Sequence, residues 1–254
     1  MVWPLLPLLL ACGSGSTDDD DARQYVAALA QIDASEEQPR EKREDALLTA
    51  LALCASLEST QWHGDCGLAA IQSLAAQTEH PTNDLLDRCE ALPTPLNRSE
   101  CAFQVGEQRD DAAACEASGP FADDCRMHLF SRRVAKIDAD KETLGEALET
   151  LAAQLSFDAS DPRPWIAASR WWLGQSAPLD RGRCTALQKH DAATDREQLC
   201  REAGAQLYND RLNHARDTRT YPCDGGDLPA TLQTAPDPQL EQIRIDREKG
   251  DLCP

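Results

Sequence analysis

The chain has 254 residues, 44 acidic against 25 basic, and a formal net charge of −19. Binding nucleic acid through phosphates, or an anionic membrane surface through charge, needs a basic face that this composition does not supply. Aromatics are 5% of the residues, Ala, Leu, Asp and Glu dominate, and alternating β-branched runs are sparse, which predicts an all-α fold.

Residues 2–11 are apolar but too short to span a bilayer as a helix, which takes roughly 20 residues. They fit the core of a secretory signal. Leu9-Leu10-Ala11-Cys12 resembles the lipobox of bacterial lipoproteins. The resemblance covers about a dozen residues. It implies cleavage before Cys12, acylation of Cys12 and, with Gly13 rather than Asp next, sorting to the outer membrane of a Gram-negative envelope. Cleavage near Cys12 without acylation would give a secreted protein instead. The sequence thus predicts a signal peptide over 1–11 and a flexible Gly/Ser and Asp tether over 12–20. The acidic run Asp18 to Asp21 also suits the first turn of a helix, where the dipole favours carboxylates.

Beyond Cys12 lie ten cysteines: Cys54, Cys66, Cys89, Cys101, Cys115, Cys125, Cys184, Cys200, Cys223 and Cys253. An even set behind an export signal predicts an oxidising compartment and a disulfide framework.

Tyr25, Leu29 and Ile32 share one helical face, residues 33–42 read as a connector, and residues 43–58 read as a helix with Leu47, Leu51 and Cys54 on one stripe. An internal repeat follows. Cys54 to Cys89 and Cys66 to Cys101 are both 35 residues apart. Leu57 then aligns with Leu92 and Asp65 with Glu100. A shorter third copy runs from Cys115 to Cys125. In each copy a cysteine closes a helical run, breakers or polar residues follow (Gly64, then Pro93 and Pro95, then Gly119 and Pro120), and a second cysteine opens the next run. Ser99 and Asp123 read as N-caps. A bond across each connector would staple an αα-hairpin. The expected pairs are Cys54–Cys66, Cys89–Cys101 and Cys115–Cys125.

The stapled hairpins occupy 21–137, and a second helical region occupies 138–254. Residues 139–157 form an amphipathic pattern through Leu144, Leu148, Leu151 and Leu155. Another helix starts at Asp161-Pro162-Arg163-Pro164 and carries Trp165, Ser169 and Trp172 on one face. With the small Ala147, this spacing resembles a tetratricopeptide hairpin over about 35 residues and implies solenoid-like packing. A long helix is expected from about Asp195 to Arg216, with Leu199, Ala203 and Leu207 inward. Cys184–Cys200 would flank a polar loop. Cys223–Cys253 would tie down an irregular tail that holds one short helix near 238–248.

Motifs for chemistry are thin. Trp62-His63-Gly64-Asp65-Cys66 gathers nucleophile, base and acid types, but neighbours on one loop rarely converge, and the repeat makes Cys66 half of a bridge. His128 has no second ligand at helical spacing, and His80, His190 and His214 are scattered. Asp138, Asp140, Glu142 and Glu149 echo a calcium loop without its central glycine. Asn97-Arg98-Ser99 is a glycosylation sequon, which leaves a eukaryotic secreted protein as an alternative. Trp171, beside Arg170 and about 120° from the Trp165 face, is the binding candidate, because an exposed Trp can stack on a sugar or anchor a partner. No catalytic residue, metal or cofactor is assigned. The expectation is a lipid-anchored envelope protein acting as a non-catalytic binding or scaffold module, held to the membrane by its N-terminal lipid and facing a protein or cell-wall partner. The alternatives are an envelope enzyme acting on wall polymer or peptide, and a small-ligand or metal carrier.

Overall fold

The computed structural model describes residues 17–137, 143–187, 195–223, 227–234 and 237–248. The described residues form α-helices and short 3-10 turns. They contain no β-strand, only an isolated parallel bridge between Leu179 and Thr234. The chain divides into two compact units between Cys125 and Arg126.

The first unit contains α1 (Thr17–Ser35), α2 (Arg40–Ala55), α3 (Thr60–Gln77), α4 (Thr82–Glu90), α5 (Pro95–Arg109) and α6 (Ala112–Glu116), and α7 (Ala122–Val134) begins in it. Helix α1 starts at Thr17, so residues 17–20 are helical rather than tether. Asp21 explains why the chain is ordered this early. Asp21 is 7% exposed, and its carboxylate accepts the backbone N–H groups of Glu58 (3.2 Å) and Ser59 (2.7 Å). One acidic side chain therefore ties the first helix to the start of α3. Asp21→Ala strands those donors, each bonded to a charged group, and is expected to cost about 2 kcal/mol. Chemical denaturation of the variant checks this, and an unchanged midpoint would show the contact to be idle.

The core of this unit is made of small residues and cystines. Ala28, Ala50, Ala70 and Ala75 pack with Leu47, Ile71, Leu74 and Leu85, and Cys54, Cys66, Cys89 and Cys101 are buried among them. Bonds join Cys54 to Cys66, Cys89 to Cys101 and Cys115 to Cys125 with Cα–Cα distances of 5.4, 5.5 and 5.5 Å, within the ordinary range for a disulfide. These are the pairs expected from the spacing.

The repeat runs deeper than its cysteines. Three residues after the first cysteine of each copy, an N–H bonds back to that cysteine's carbonyl: Leu57 to Cys54 (3.2 Å), Leu92 to Cys89 (3.0 Å) and Ser118 to Cys115 (3.1 Å). The N-caps repeat as well. Ser59 accepts from Trp62 N and Thr94 accepts from Asn97 N. This corrects the expected start of α5. Thr94 is its cap, Pro95 occupies its first turn, and Ser99 lies inside the helix. Asp123 likewise lies within α7, in its acidic first turn. The second cysteine of the two full copies sits one turn later than predicted, because the caps Ser59 and Thr94, the latter followed by Pro95, start the helices before it. Gly64 is no breaker either. It is buried within α3.

The second unit contains the rest of α7 with α8 (Leu144–Gln154), α9 (Arg163–Gly174), α10 (Arg196–Asp217) and α11 (Pro238–Glu248). Leu144, Leu148 and Leu151 form the buried stripe of α8 as expected, and Leu155 caps the helix. The run stops there rather than at 157, because Ser156 takes a left-handed φ of 57° and Phe157 N bonds back to Ala152 O at 3.0 Å. Residues 138–142, including the calcium-like acids Asp138, Asp140 and Glu142, lie outside the described residues. Asp195 caps α10. The buried face of α10 is shifted from the expected one. Cys200, Ala203, Gly204, Tyr208 and Leu212 face inward, whereas Leu199 and Leu207 are half-buried. Tyr208 is the bulkiest fully buried side chain and sets that face. A 3-10 segment, Arg181–Leu187, precedes α10 and is joined to it by Cys184–Cys200 at a Cα–Cα distance of 5.5 Å. Cys223 is disulfide-bonded, but Cys253 lies outside the described residues.

Candidate functional site

Trp171 and Arg170 are not a free binding pair. The Trp171 ring is half-buried and packs against Trp172, with centroids 6.2 Å apart. Trp172 in turn donates its indole N–H to Arg183 O (3.2 Å) and lies 3.8 Å beneath the Arg183 guanidinium. Arg170 is ion-paired with Asp210 of α10 at 2.5 Å. The reason is tertiary. Arg170 and Asp210 are 40 residues apart, and only the packing of α9 on α10 brings them together.

That packing has a neighbouring cavity of about 590 Å3, lined by Asp210, Arg211, His214 and Ala215 of α10 and by Thr220, Pro229, Thr231 and Leu232. Arg211 donates to the carbonyls of Thr231 (3.2 Å) and Gly174 (3.4 Å), and burial pushes its guanidinium below its ordinary value. A second cavity of about 490 Å3 lies on another stretch of α10. It is lined by Gln198, Arg201, Glu202 and Ala205 together with Arg181, Asp237, Pro238 and Gln239. Arg181 is 5% exposed and approaches Asp237 at 3.3 Å and Gln239 Oε1 at 3.2 Å. Burial lowers its pKa, Asp237 opposes that effect, and the nearby Arg201 adds to it. Both cavities fall in the range of small-ligand sites. Sequence reasoning missed them because the residues that meet there lie up to 58 positions apart. Their one local signal is a run of polar residues on one face of α10.

The other sequence candidates have structural roles. Cys66 is fully buried in its bond to Cys54, with His63 half-buried beside it in α3 and Asp65 exposed. Asn97 of the sequon is packed in. A Cβ on Gly64 would come within 2.4 Å of its side-chain oxygen, and that oxygen also accepts the Thr94 hydroxyl at 2.5 Å. His80 Nδ1 bonds Glu44 at 2.7 Å, and its Nε2 lies 3.9 Å from Asp84. His128 is on the exposed side of α7, His214 lines the first cavity, and His190 lies outside the described residues. Glu149 pairs with Arg196 at 2.6 Å. Among the described residues no group of three or more His, Cys, Asp or Glu is arranged to hold a metal ion, and no helix is long and apolar enough to cross a membrane.

Among the described residues the fold is an all-α, disulfide-crosslinked one, with cavities of about 590 and 490 Å3 along α10. No protein family, no curated protein and no solved structure matches the chain.

Proposed function

We propose that the chain is a cell-envelope lipoprotein, anchored through acylated Cys12, whose body is a non-catalytic binding or scaffold module. The observation that carries this reading is the set of buried cystines. Eight cysteines are paired and inaccessible, as expected of a protein matured in an oxidising compartment, and the Leu9-Leu10-Ala11-Cys12 leader supplies the route there. Helix α1 begins at Thr17. At ~3.5 Å per residue, five steps of chain from Cys12 hold the body within about 18 Å of the acylated residue. The stapled hairpins act as a solenoid-like array in this reading. Helix α1 packs on α2 and α3, and α3 on α4 and α5, so each helix buries its face on its near neighbours. A crosslinked array of this kind presents a rigid surface to a protein or cell-wall partner, facing the periplasm or the cell exterior.

The intact mass of native protein from its own envelope, before and after reduction, tests the anchor. The expected mass starts at acylated Cys12 and rises by about ten hydrogens on reduction of five bridges. A mass without lipid, or thiols that react before reduction, would overturn it. Co-purification from gently solubilised envelopes tests the binding role, and recovery of no partner would count against it.

A further inference from the structure

We infer that the cavity between α10 and the start of α11 binds a small carboxylate. Three features of the cavity point that way. First, Arg181 is buried with an incomplete set of partners. Its terminal nitrogens reach Asp237 only at 3.3 Å and Gln239 at 3.2 Å, longer than the ~2.8 Å of a good charge-assisted bond. Its Nε has no acceptor at all. A buried guanidinium left so short of acceptors is costly, and an anionic oxygen is the group that would complete it.

Second, a further guanidinium lines the same cavity. Arg201 gives its Nε and one terminal nitrogen to Glu197, at 3.1 and 2.7 Å, and its side chain remains 37% exposed. The two cations disfavour each other across the cavity, and an anion between them reverses that repulsion. The lining also holds Asp237 and Glu202, so its charges balance. A planar monoanion fits the guanidinium forks, whereas a dianion such as phosphate meets two carboxylates.

Third, the fold makes room for Arg181. A Cβ on Gly204 would lie 2.9 Å from Arg181 Cγ and 3.0 Å from Leu173 Cδ1. A glycine inside a helix costs about 1 kcal/mol relative to Ala. Here it lets the Arg181 stem cross α10 to the cavity.

The inference names a ligand chemistry for the binding-module reading and rests on the cavity rather than on the anchor. Its failure would leave the Cys12 mass untouched. The test is isothermal titration calorimetry on the purified full-length chain with sodium propionate, N-acetyl-L-alanine and inorganic phosphate. Saturable binding of a carboxylate, with phosphate at least tenfold weaker, is the expected result. Tighter propionate identifies a free small acid, and tighter N-acetyl-L-alanine a peptide C-terminus. Arg201→Gln, at a partly exposed position, should weaken the carboxylate about tenfold or more, the loss of one charge-assisted bond, with an unchanged helical circular dichroism spectrum. No carboxylate binding by the native chain, phosphate binding as tightly, or full affinity in folded Arg201→Gln would overturn the inference.

Discussion

Replacing Cys89 and Cys101 together by alanine is expected to cost about 3 kcal/mol, the chain entropy released when a crosslink of this loop size is removed. The bond closes a separation of 12 residues. The four described bonds, with separations of 12, 12, 10 and 16 residues, together constrain the unfolded chain by roughly 11 kcal/mol. That is as large as the whole stability of a typical domain, about 5–15 kcal/mol. The alanines of the first unit's core, Ala28, Ala50, Ala70 and Ala75, bury little area per residue, so the crosslinks carry a large share of the stability. The fully reduced protein is therefore expected to be unfolded at 37 °C. The sulfurs are buried, so reductant needs the protein opened first. Reduction in denaturant, dilution with reductant present, and circular dichroism against the oxidised control make the comparison. A reduced chain that regains the oxidised spectrum and melts at the same temperature would refute the claim.

Glu149→Ala is expected to cost about 2–3 kcal/mol, because it strands a buried cation. Arg196 is 7% exposed at its side chain, pairs with Glu149 at 2.6 Å, and holds its guanidinium 3.6 Å above the Trp165 ring. It therefore joins the start of α10 to α8 and α9 at once. The lower end of the range reflects the 28% exposure that Glu149 retains, through which water can partly replace it. Arg196→Met combined with Glu149→Leu removes both charges and keeps the bulk, so it should come within about 1 kcal/mol of the native protein. Urea denaturation of the single and double variants measures the coupling. A double variant as unstable as Glu149→Ala would show that shape, not charge, makes the joint.

Much of the architecture was legible in the sequence because its determinants are local. The leucine stripe of α8 is visible at helical spacing. Asp195 could be read as the start of α10, and each described bond joins cysteines 10 to 16 residues apart. The helix starts of the repeat were misplaced for an identifiable reason. The cysteines drew the boundary to themselves, although the Ser59 and Thr94 caps share the same 35-residue offset. Reading Thr94-Pro95 as cap and first turn would have found it.

The sites were not legible in the same way. Angular spacing put Trp171 off the Trp165 face, but it could not show that Trp172 packs on it or that Asp210 occupies Arg170. Asp21 reads as one of four solvated aspartates until α3 places two backbone donors above it.

The sequence by itself determined the helical class and the four described pairings of neighbouring cysteines, since propensity, periodicity and short loop closure act over a few turns of chain. The tertiary structure alone decided which polar groups are buried and which of them meet. Arg181 meets Asp237 across 56 residues and Arg196 meets Glu149 across 47. Contacts at such separations depend on helix packing, and packing is a property of the assembled surfaces rather than of any one segment.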